Sequence, residues 1–235
     1  MYEILPLAFS TSDLFPAFLQ GWGDNLLVGL GKTLMIAIGA FALGLTIGLT
    51  GALGKLYGPA PLRWFLEVYT TVIRAIPELV LILLLYYAGT DLLNRTLESF
   101  GYQPVTVSGI SAGIIVLGLV MGGYCTEVMR AAIKAIPPGQ MEAGRAYGMS
   151  SMQVLRRITI PAMLPFAIPG LANLWLIVTK DTALLAVVGF EELAAVTRQA
   201  AGTTRDYLLF YCVTFVIYLC VTLVSNVFIR RLEAY

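Results

Sequence analysis

The chain has 235 residues, of which 58% are hydrophobic and 12% are charged, and its mean hydropathy is +0.83. Soluble domains are about 45–50% apolar and about 25% charged, so this composition indicates a polytopic membrane protein. The net charge of +1 does not indicate nucleic-acid binding, and the absence of histidine excludes histidine general bases and metal ligands. Cys125, Cys212 and Cys220 lie far apart in apolar runs, which argues against a disulfide framework or a C-x-x-C metal site.

Five apolar stretches are long enough to cross a bilayer, which requires roughly 20 residues each. We therefore predict an all-α integral membrane protein with five transmembrane helices, in which residues 1–235 form a single transmembrane domain. The opening sequence MYEILPLAFSTSDLF lacks a basic n-region and is not expected to be a signal peptide. The predicted spans are residues 26–53, 65–87, 111–133, 164–188 and 208–228.

The basic residues are divided unequally between the two sides that these spans define. Cytoplasmic segments carry an excess of Lys and Arg, so the richer side is predicted to be cytoplasmic, with the N-terminus outside and the C-terminus inside. The richer side holds Lys55, Arg63, Arg130, Lys134, Arg145, Arg156, Arg157, Arg230 and Arg231. The other side holds Arg95, Arg198 and Arg205.

The first span contains two glycine patterns that look like functional motifs. GLGKT, at residues 29–33, resembles the end of a phosphate-binding P-loop, but Leu26 occupies the position of that motif's first glycine. We therefore do not expect nucleotide binding there. Gly44-x-x-x-Gly48, like Gly118-x-x-x-Gly122 in the third span, is typical of close helix–helix packing.

Five ionisable residues of the predicted spans are expected at membrane depth, away from the span ends: Arg74, Glu78, Glu127, Lys180 and Asp181. Arg74, Glu78 and Asp181 are expected near mid-depth, and Glu127 nearer the cytoplasm. Charged groups at membrane depth are costly, so they normally face a cavity or pair with one another. The three acids exceed the two bases by one negative charge.

These residues admit two interpretations. Arg74 and Glu78 are spaced as an i, i+4 pair on one helix face, and Lys180 and Asp181 can each pair across helices, which would be purely structural. Alternatively, the residues line a polar cavity for a zwitterion that carries an extra positive charge. Its cationic group would meet Glu78, Glu127 or Asp181, and its carboxylate would meet a base or backbone N–H groups.

Residues 136–161 form a polar link between the third and fourth spans. Proline at 137 and 138 should end the preceding helix, a short helix is predicted from Gln140 to Tyr147, and Gly148 offers a turn. Ser150 or Ser151 should cap a second short helix, which Pro161 is expected to break. The residues alone leave open whether this hairpin is a protein-docking surface or an amphipathic linker on the membrane.

The stretch from Glu142 to Pro161 reads E-A-G-x3-G-x9-I-x-I-P. It resembles the E-A-A-x3-G-x9-I-x-L-P signature of bacterial ABC importer permeases, with Gly144 and Ile160 as the two departures, and this resemblance implies a fold like that of a type I ABC importer permease. Over residues 20–233 the chain is similar to polar amino acid permeases, most of all to the histidine/lysine/arginine/ornithine and the octopine/nopaline permeases. The segments that carry this likeness are RAIPELVLILLLYY (74–87), GGYCTEVMRAAIKAIPPGQ (122–140) and VTKDTALLAVVG (178–189).

The resemblance implies roles for individual residues. Glu142, Ala143, Gly144 and Gly148 would form a coupling loop that docks on an ATP-binding subunit. Positions shared broadly by polar amino acid permeases are matched by Arg74, Pro77, Glu127, Lys180 and Thr182. Glu78 and Asp181 fall at variable positions, where an acid suggests basic cargo. The implied substrate-binding residues are Arg74, Glu78, Glu127, Asp181 and Thr182.

The resemblance further implies a permease subunit, not an enzyme, that imports a basic amino acid or opine across the bacterial inner membrane by alternating access. Its expected partners are a second permease subunit, which is a paralogue or a second copy of this chain, two ATP-binding subunits that hold ATP and Mg²⁺, and a solute-binding protein. No cofactor is expected in this chain. The alternatives are an ion-coupled secondary carrier of cationic solutes and a non-transporting membrane scaffold.

Overall fold

The structure, a computed structural model, describes residues 21–105 and 108–233. Within these ranges the regular elements are all helical. The helices are α1 (Gly23–Tyr57), α2 (Ala60–Ala75), α3 (Glu78–Ser99), α4 (Gly109–Ala135), α5 (Pro138–Ala146), α6 (Ser151–Val154), α7 (Ile160–Asp181), α8 (Leu185–Val188), α9 (Leu193–Thr204) and α10 (Tyr207–Glu233). A π-helical turn, Leu155–Thr159, joins α6 to α7, and a 3-10 turn, Thr182–Leu184, joins α7 to α8.

Within the described residues, four helical stretches are long and apolar enough to cross a membrane, and the number is five if the bent pair α2–α3 is one span. The predicted stretches 26–53, 111–133 and 208–228 lie inside α1, α4 and α10. The predicted all-α architecture is therefore confirmed for the part of the chain that the structure describes.

The second predicted span, residues 65–87, is divided between α2 and α3. The chain bends by 119° between α2 and α3. Ile76 adopts an extended conformation, with φ −103° and ψ 138°, because the ring of Pro77 disfavours helical geometry in the residue before it. A hydropathy window does not register this bend, since apolar residues continue on both sides of it.

The fourth span begins earlier than predicted. Pro161 does not end the hairpin's second helix, because a continuous helical stretch leads from Ser151 into α7. The π-helical turn precedes Pro161 and places it in the first turn of α7, where its missing N–H costs little. Pro165 and Pro169 also lie inside α7.

Helices α1 and α4 form the centre of the fold, and the two Gly-x-x-x-Gly patterns pack there as predicted. A Cβ atom at Gly48 would collide with Cys125, and one at Gly44 would lie 2.8 Å from the Met121 side chain. Small residues therefore allow the two backbones to approach closely. On the other helix, Gly118 and Gly122 receive Leu43 and Ile47 in the same way.

Helix α9 was not predicted. It lies in the link between the fourth and fifth spans and packs on both α1 and α10. Leu26, Leu193 and Phe210 form the buried centre of this contact. The helix was missed because twelve residues with several threonines and one glycine have only moderate hydropathy.

Candidate functional site

The bend at Pro77 determines where the first candidate residue lies. Glu78 is the first residue of α3, so its carboxylate lies at the positive end of that helix. Arg74 lies in the last turn of α2, on the other side of the bend. The purely structural interpretation, in which Arg74 and Glu78 pair on one helix face, therefore does not hold, because the two residues belong to different helices. The ion pair that Arg74 makes is a long one, 3.9 Å, to Glu127.

Glu78 lies in an acidic pair with Asp181, far from it in sequence. The phenol of Tyr124 donates a 2.8 Å hydrogen bond to the Glu78 carboxylate. Asp181, the last residue of α7, lies close enough to Glu78 for their charges to repel. One carboxylate oxygen of Asp181 is buried and has no hydrogen-bond partner among the described residues. We call Glu78, Asp181 and Tyr124 the acidic pocket.

The neighbours of Asp181 take different positions. Lys180 is exposed, whereas Thr182 is fully buried and donates a 2.8 Å hydrogen bond to the Thr179 carbonyl. Thr182 thus stabilises the turn that follows Asp181, and its hydroxyl is already engaged within the chain.

Glu127 lies in a separate cluster, in which basic residues surround it. Lys55 and Arg130 each approach one of its carboxylate oxygens at 2.6 Å. The Lys55 ammonium, only 4% exposed, also pairs with Glu67 at 2.6 Å and donates to the Thr70 hydroxyl at 2.9 Å. We call Glu127, Lys55, Arg130 and Glu67 the basic cluster.

The three acids expected at membrane depth therefore separate into two groups. Glu127 has its negative charge balanced within the basic cluster. In the acidic pocket, the Glu78 carboxylate accepts a hydrogen bond from the Tyr124 phenol. One oxygen of the Asp181 carboxylate has no hydrogen-bond partner among the described residues. Lys55 and Arg130 were placed in cytoplasmic links by the sequence analysis, so their contacts with Glu127 were not predicted.

Substituting Glu127→Gln is expected to destabilise the protein, because it leaves the buried Lys55 side chain with the exposed Glu67 carboxylate as its one anionic partner among the described residues. A lost charge-assisted hydrogen bond costs about 1–3 kcal/mol, which corresponds to roughly 2–10 °C in the unfolding midpoint. The measurement is thermal unfolding of the detergent-purified assembly. Glu67→Gln is the control, and its effect should be smaller because Glu67 is 67% exposed. A midpoint equal to that of the native protein would contradict a structural role for Glu127.

The polar link forms the predicted hairpin. Helix α5 ends at Ala146, and Gly148 makes the turn with φ +76°, a conformation that disfavours any residue with a Cβ atom. Ser150 caps the second helix, and Gln153 completes a reciprocal capping box with it. Helix α5, the first helix of the hairpin, starts at Pro138, two residues before the predicted Gln140, since proline is well tolerated in a first helical turn.

The predicted docking residues divide between the surface and the interior of this hairpin. Glu142, Ala143 and Gly148 are exposed, and Tyr147 at the tip is 89% exposed. Gly144 is buried against Ile158, and a Cβ atom there would collide with that side chain. The glycine that departs from the family signature therefore lies at the contact between the two helices of the hairpin.

Lys32 and Thr33 of the GLGKT segment contact the residues that lead into α9. Lys32 pairs with Glu191 at 3.1 Å, and the Thr33 hydroxyl donates to the fully buried Glu192 carboxylate at 3.1 Å. The Leu193 N–H donates in turn to Thr33. Burial raises the pKa of Glu192 above its ordinary value. Glu192 was not predicted as a buried contact, although the consecutive acids Glu191 and Glu192 stand close after Gly189 in the sequence.

Comparison with known proteins agrees with this architecture. Residues 44–234 match the family described as "Binding-protein-dependent transport system inner membrane component". The chain is 41% identical to the nopaline transport system permease protein NocQ of Agrobacterium fabrum, over 88% of each chain. It is 40% identical to the histidine/lysine/arginine/ornithine transport system permease protein HisQ of Escherichia coli, over 92% of this chain and 94% of the relative.

A solved structure supports the same conclusion. The chain is similar to a subunit in the crystal structure of an amino acid ABC transporter with histidines, with a TM-score of 0.75 and 29% identity. The match covers 91% of this chain and 94% of that one. The fold predicted from the sequence, that of a type I ABC importer permease, is confirmed.

Proposed function

Since this chain belongs to the family of binding-protein-dependent transport system inner membrane components, we propose that it is the membrane-spanning subunit of an ATP-driven importer for a basic amino acid or a related opine. The observation that carries the substrate class is the acidic pocket, in which Glu78 and Asp181 lie close together and one Asp181 oxygen has no partner among the described residues. A guest with an ammonium or guanidinium group would neutralise this pair and supply the missing hydrogen bond.

We assign a role to each residue in and beside the acidic pocket. Glu78 and Asp181 bind the cationic end of the cargo, and Tyr124 holds the Glu78 carboxylate in place. Arg74, whose side chain is 57% exposed, is the base for the cargo carboxylate, because its contact with Glu127 is long. Thr182 positions the turn beside Asp181, and we place Glu127 outside the cargo site. The names of NocQ and HisQ, which specify nopaline and the basic amino acids, support this class of cargo.

The assembly and orientation follow from the hairpin and the basic residues. The exposed residues Glu142, Ala143 and Gly148 dock on an ATP-binding subunit, where ATP and Mg²⁺ are bound, so ATP hydrolysis takes place outside this chain. The importer contains a second permease subunit, a paralogue of this one, two ATP-binding subunits and a solute-binding protein. The basic side of the chain is cytoplasmic, which places the N-terminus outside and the C-terminus inside.

Reconstitution tests the proposed function. Proteoliposomes that contain the whole importer should take up labelled arginine when ATP is enclosed with the ATP-binding subunits and binding protein is supplied on the opposite side. Lysine should compete with arginine for uptake, glutamate should not, and a protonophore should leave the rate unchanged. Uptake that needs a proton gradient instead of ATP would identify an ion-coupled carrier and overturn the proposal.

A further inference from the structure

An apolar groove of about 690 Å³ lies between α1, α7 and α10, away from the acidic pocket. Phe41, Trp175, Val224 and Phe228 are among the side chains that line it. Its volume is within the range of about 300–1,000 Å³ that is usual for small-molecule sites. The groove therefore has room for a ligand.

The walls of the groove favour an apolar occupant. The Trp175 indole N–H donates to the Ser225 hydroxyl at 3.0 Å, so these two polar groups satisfy each other across α7 and α10. Phe41 packs edge-to-face on Trp175, with ring centroids 5.5 Å apart, and connects α1 to α7. A hydrocarbon chain fits such a lining, whereas a polar solute would lose its hydrogen bonds to water.

One end of the groove is basic. On α10, Val224 and Phe228 line the groove, and Arg231 follows them at intervals of seven and three residues, which places it on the same helix face. Arg230 and Arg231 are both exposed. In the orientation proposed above, this end lies at the cytoplasmic surface, where anionic lipid headgroups attract basic residues.

We propose that the groove binds one acyl chain of an anionic phospholipid, whose phosphate group lies beside Arg231. A helix of a partner subunit is a poorer fit, because helix–helix contacts in membranes use small residues, as the α1–α4 contact does. The α10 wall of the groove presents the bulky Val224 and Phe228 beside Cys220 and Ser225, and the Ser225 hydroxyl is already paired with Trp175. The proposal depends on the proposed orientation but not on the proposed cargo.

Photo-crosslinking of the purified importer tests this site. The probes are phosphatidylglycerol and phosphatidylcholine analogues that carry a photoreactive group in one acyl chain, with crosslinked peptides mapped by mass spectrometry. We expect labelling of groove residues on α7 and α10. The phosphatidylglycerol probe should label them about five times more than the phosphatidylcholine probe, because one basic residue attracts an anionic lipid by about 1 kcal/mol, which corresponds to that factor. Val224→Trp fills the groove and should abolish this labelling.

Matched variants distinguish labelling in the groove from labelling elsewhere on α10. Val227→Trp changes the same residue type on the same helix at similar exposure, outside the groove lining, and should leave labelling unchanged. Arg231→Gln should remove the phosphatidylglycerol preference, whereas Arg63→Gln, also in a cytoplasmic segment, should not. Uniform labelling of exposed α10 residues without headgroup preference would overturn the proposal. Disulfide crosslinking of Cys220, which lines the groove, to an introduced cysteine in the partner permease would overturn it as well.

Discussion

Arginine uptake by the reconstituted importer is expected to fall at least about tenfold when either Glu78→Gln or Asp181→Asn is introduced. Both substitutions keep the shape of the side chain and remove its negative charge. A hydrogen bond to a charged group contributes about 1.5–3 kcal/mol, and a loss of about 1.4 kcal/mol corresponds to a factor of ten in binding. The double variant should lose more, although neighbouring substitutions need not be additive.

The substituted amides should leave the fold intact. Tyr124 donates its hydrogen bond to Glu78, and the carbonyl oxygen of a glutamine can still accept it. One oxygen of Asp181 has no hydrogen-bond partner among the described residues, so Asp181→Asn breaks no hydrogen bond at that atom. Assembly with the partner subunits should therefore remain at the native level, in contrast to the destabilisation expected for Glu127→Gln.

Selectivity gives a readout that a folding defect would not imitate. Citrulline resembles arginine in shape but lacks the positive charge, so the ratio of arginine to citrulline uptake measures the contribution of the acidic pocket. That ratio should fall about tenfold in Glu78→Gln and stay constant in Glu98→Gln, which changes an exposed glutamate at the far end of α3. An unchanged ratio in both pocket variants would show that this pair does not select the cargo, even if the importer transports basic amino acids.

The sequence predicted the parts of this molecule that depend on local composition. Apolar length identified the spans, and the hairpin followed from Pro137, Gly148 and Ser150, each of which acts on the backbone within a few residues. The glycine patterns correctly indicated helix packing. They succeeded because a glycine's missing side chain is itself the feature that the fold uses.

Contacts between distant segments were harder to predict. Lys55 and Glu127 are 72 residues apart, and Thr33 and Glu192 are 159 residues apart, so no local pattern connects them. The bend at Pro77 had a larger effect, because it separated Arg74 from Glu78 and left Glu78 beside Asp181. The two variable acids were predicted to share one cavity, but their relation to Tyr124 required the folded arrangement of α3, α4 and α7.

Gly148→Val is expected to reduce ATP-dependent uptake roughly 5–30-fold and to weaken co-purification with the ATP-binding subunit. Gly148 has φ +76°, where an L-residue is strained by about 1–2 kcal/mol and a β-branched one by more. If this strain destabilises the docked conformation of the hairpin by about 1–2 kcal/mol, uptake falls by the stated factor of roughly 5–30. The measurement is the yield of the ATP-binding subunit in a pull-down, together with uptake by proteoliposomes.

The local hydrogen bonds explain why the turn cannot simply relax. The Gly148 N–H donates to the Arg145 carbonyl at 2.9 Å, and the Met149 N–H donates to the Gly144 carbonyl at 3.1 Å, so the left-handed turn closes the end of α5. A residue that leaves this conformation breaks both bonds. It also redirects Tyr147, which is 89% exposed at the hairpin tip.

A graded series separates backbone strain from simple bulk. No atom lies within 4 Å of a Cβ atom built at Gly148, so added volume alone meets open space. Gly148→Asn should therefore retain most docking, because asparagine tolerates the left-handed region, whereas Gly148→Val should not. Gly139→Val, at another open position of α5 without a left-handed φ, is the control for bulk. Equal losses for valine and asparagine at 148 would show that the docked partner occupies that space, and would contradict the backbone explanation.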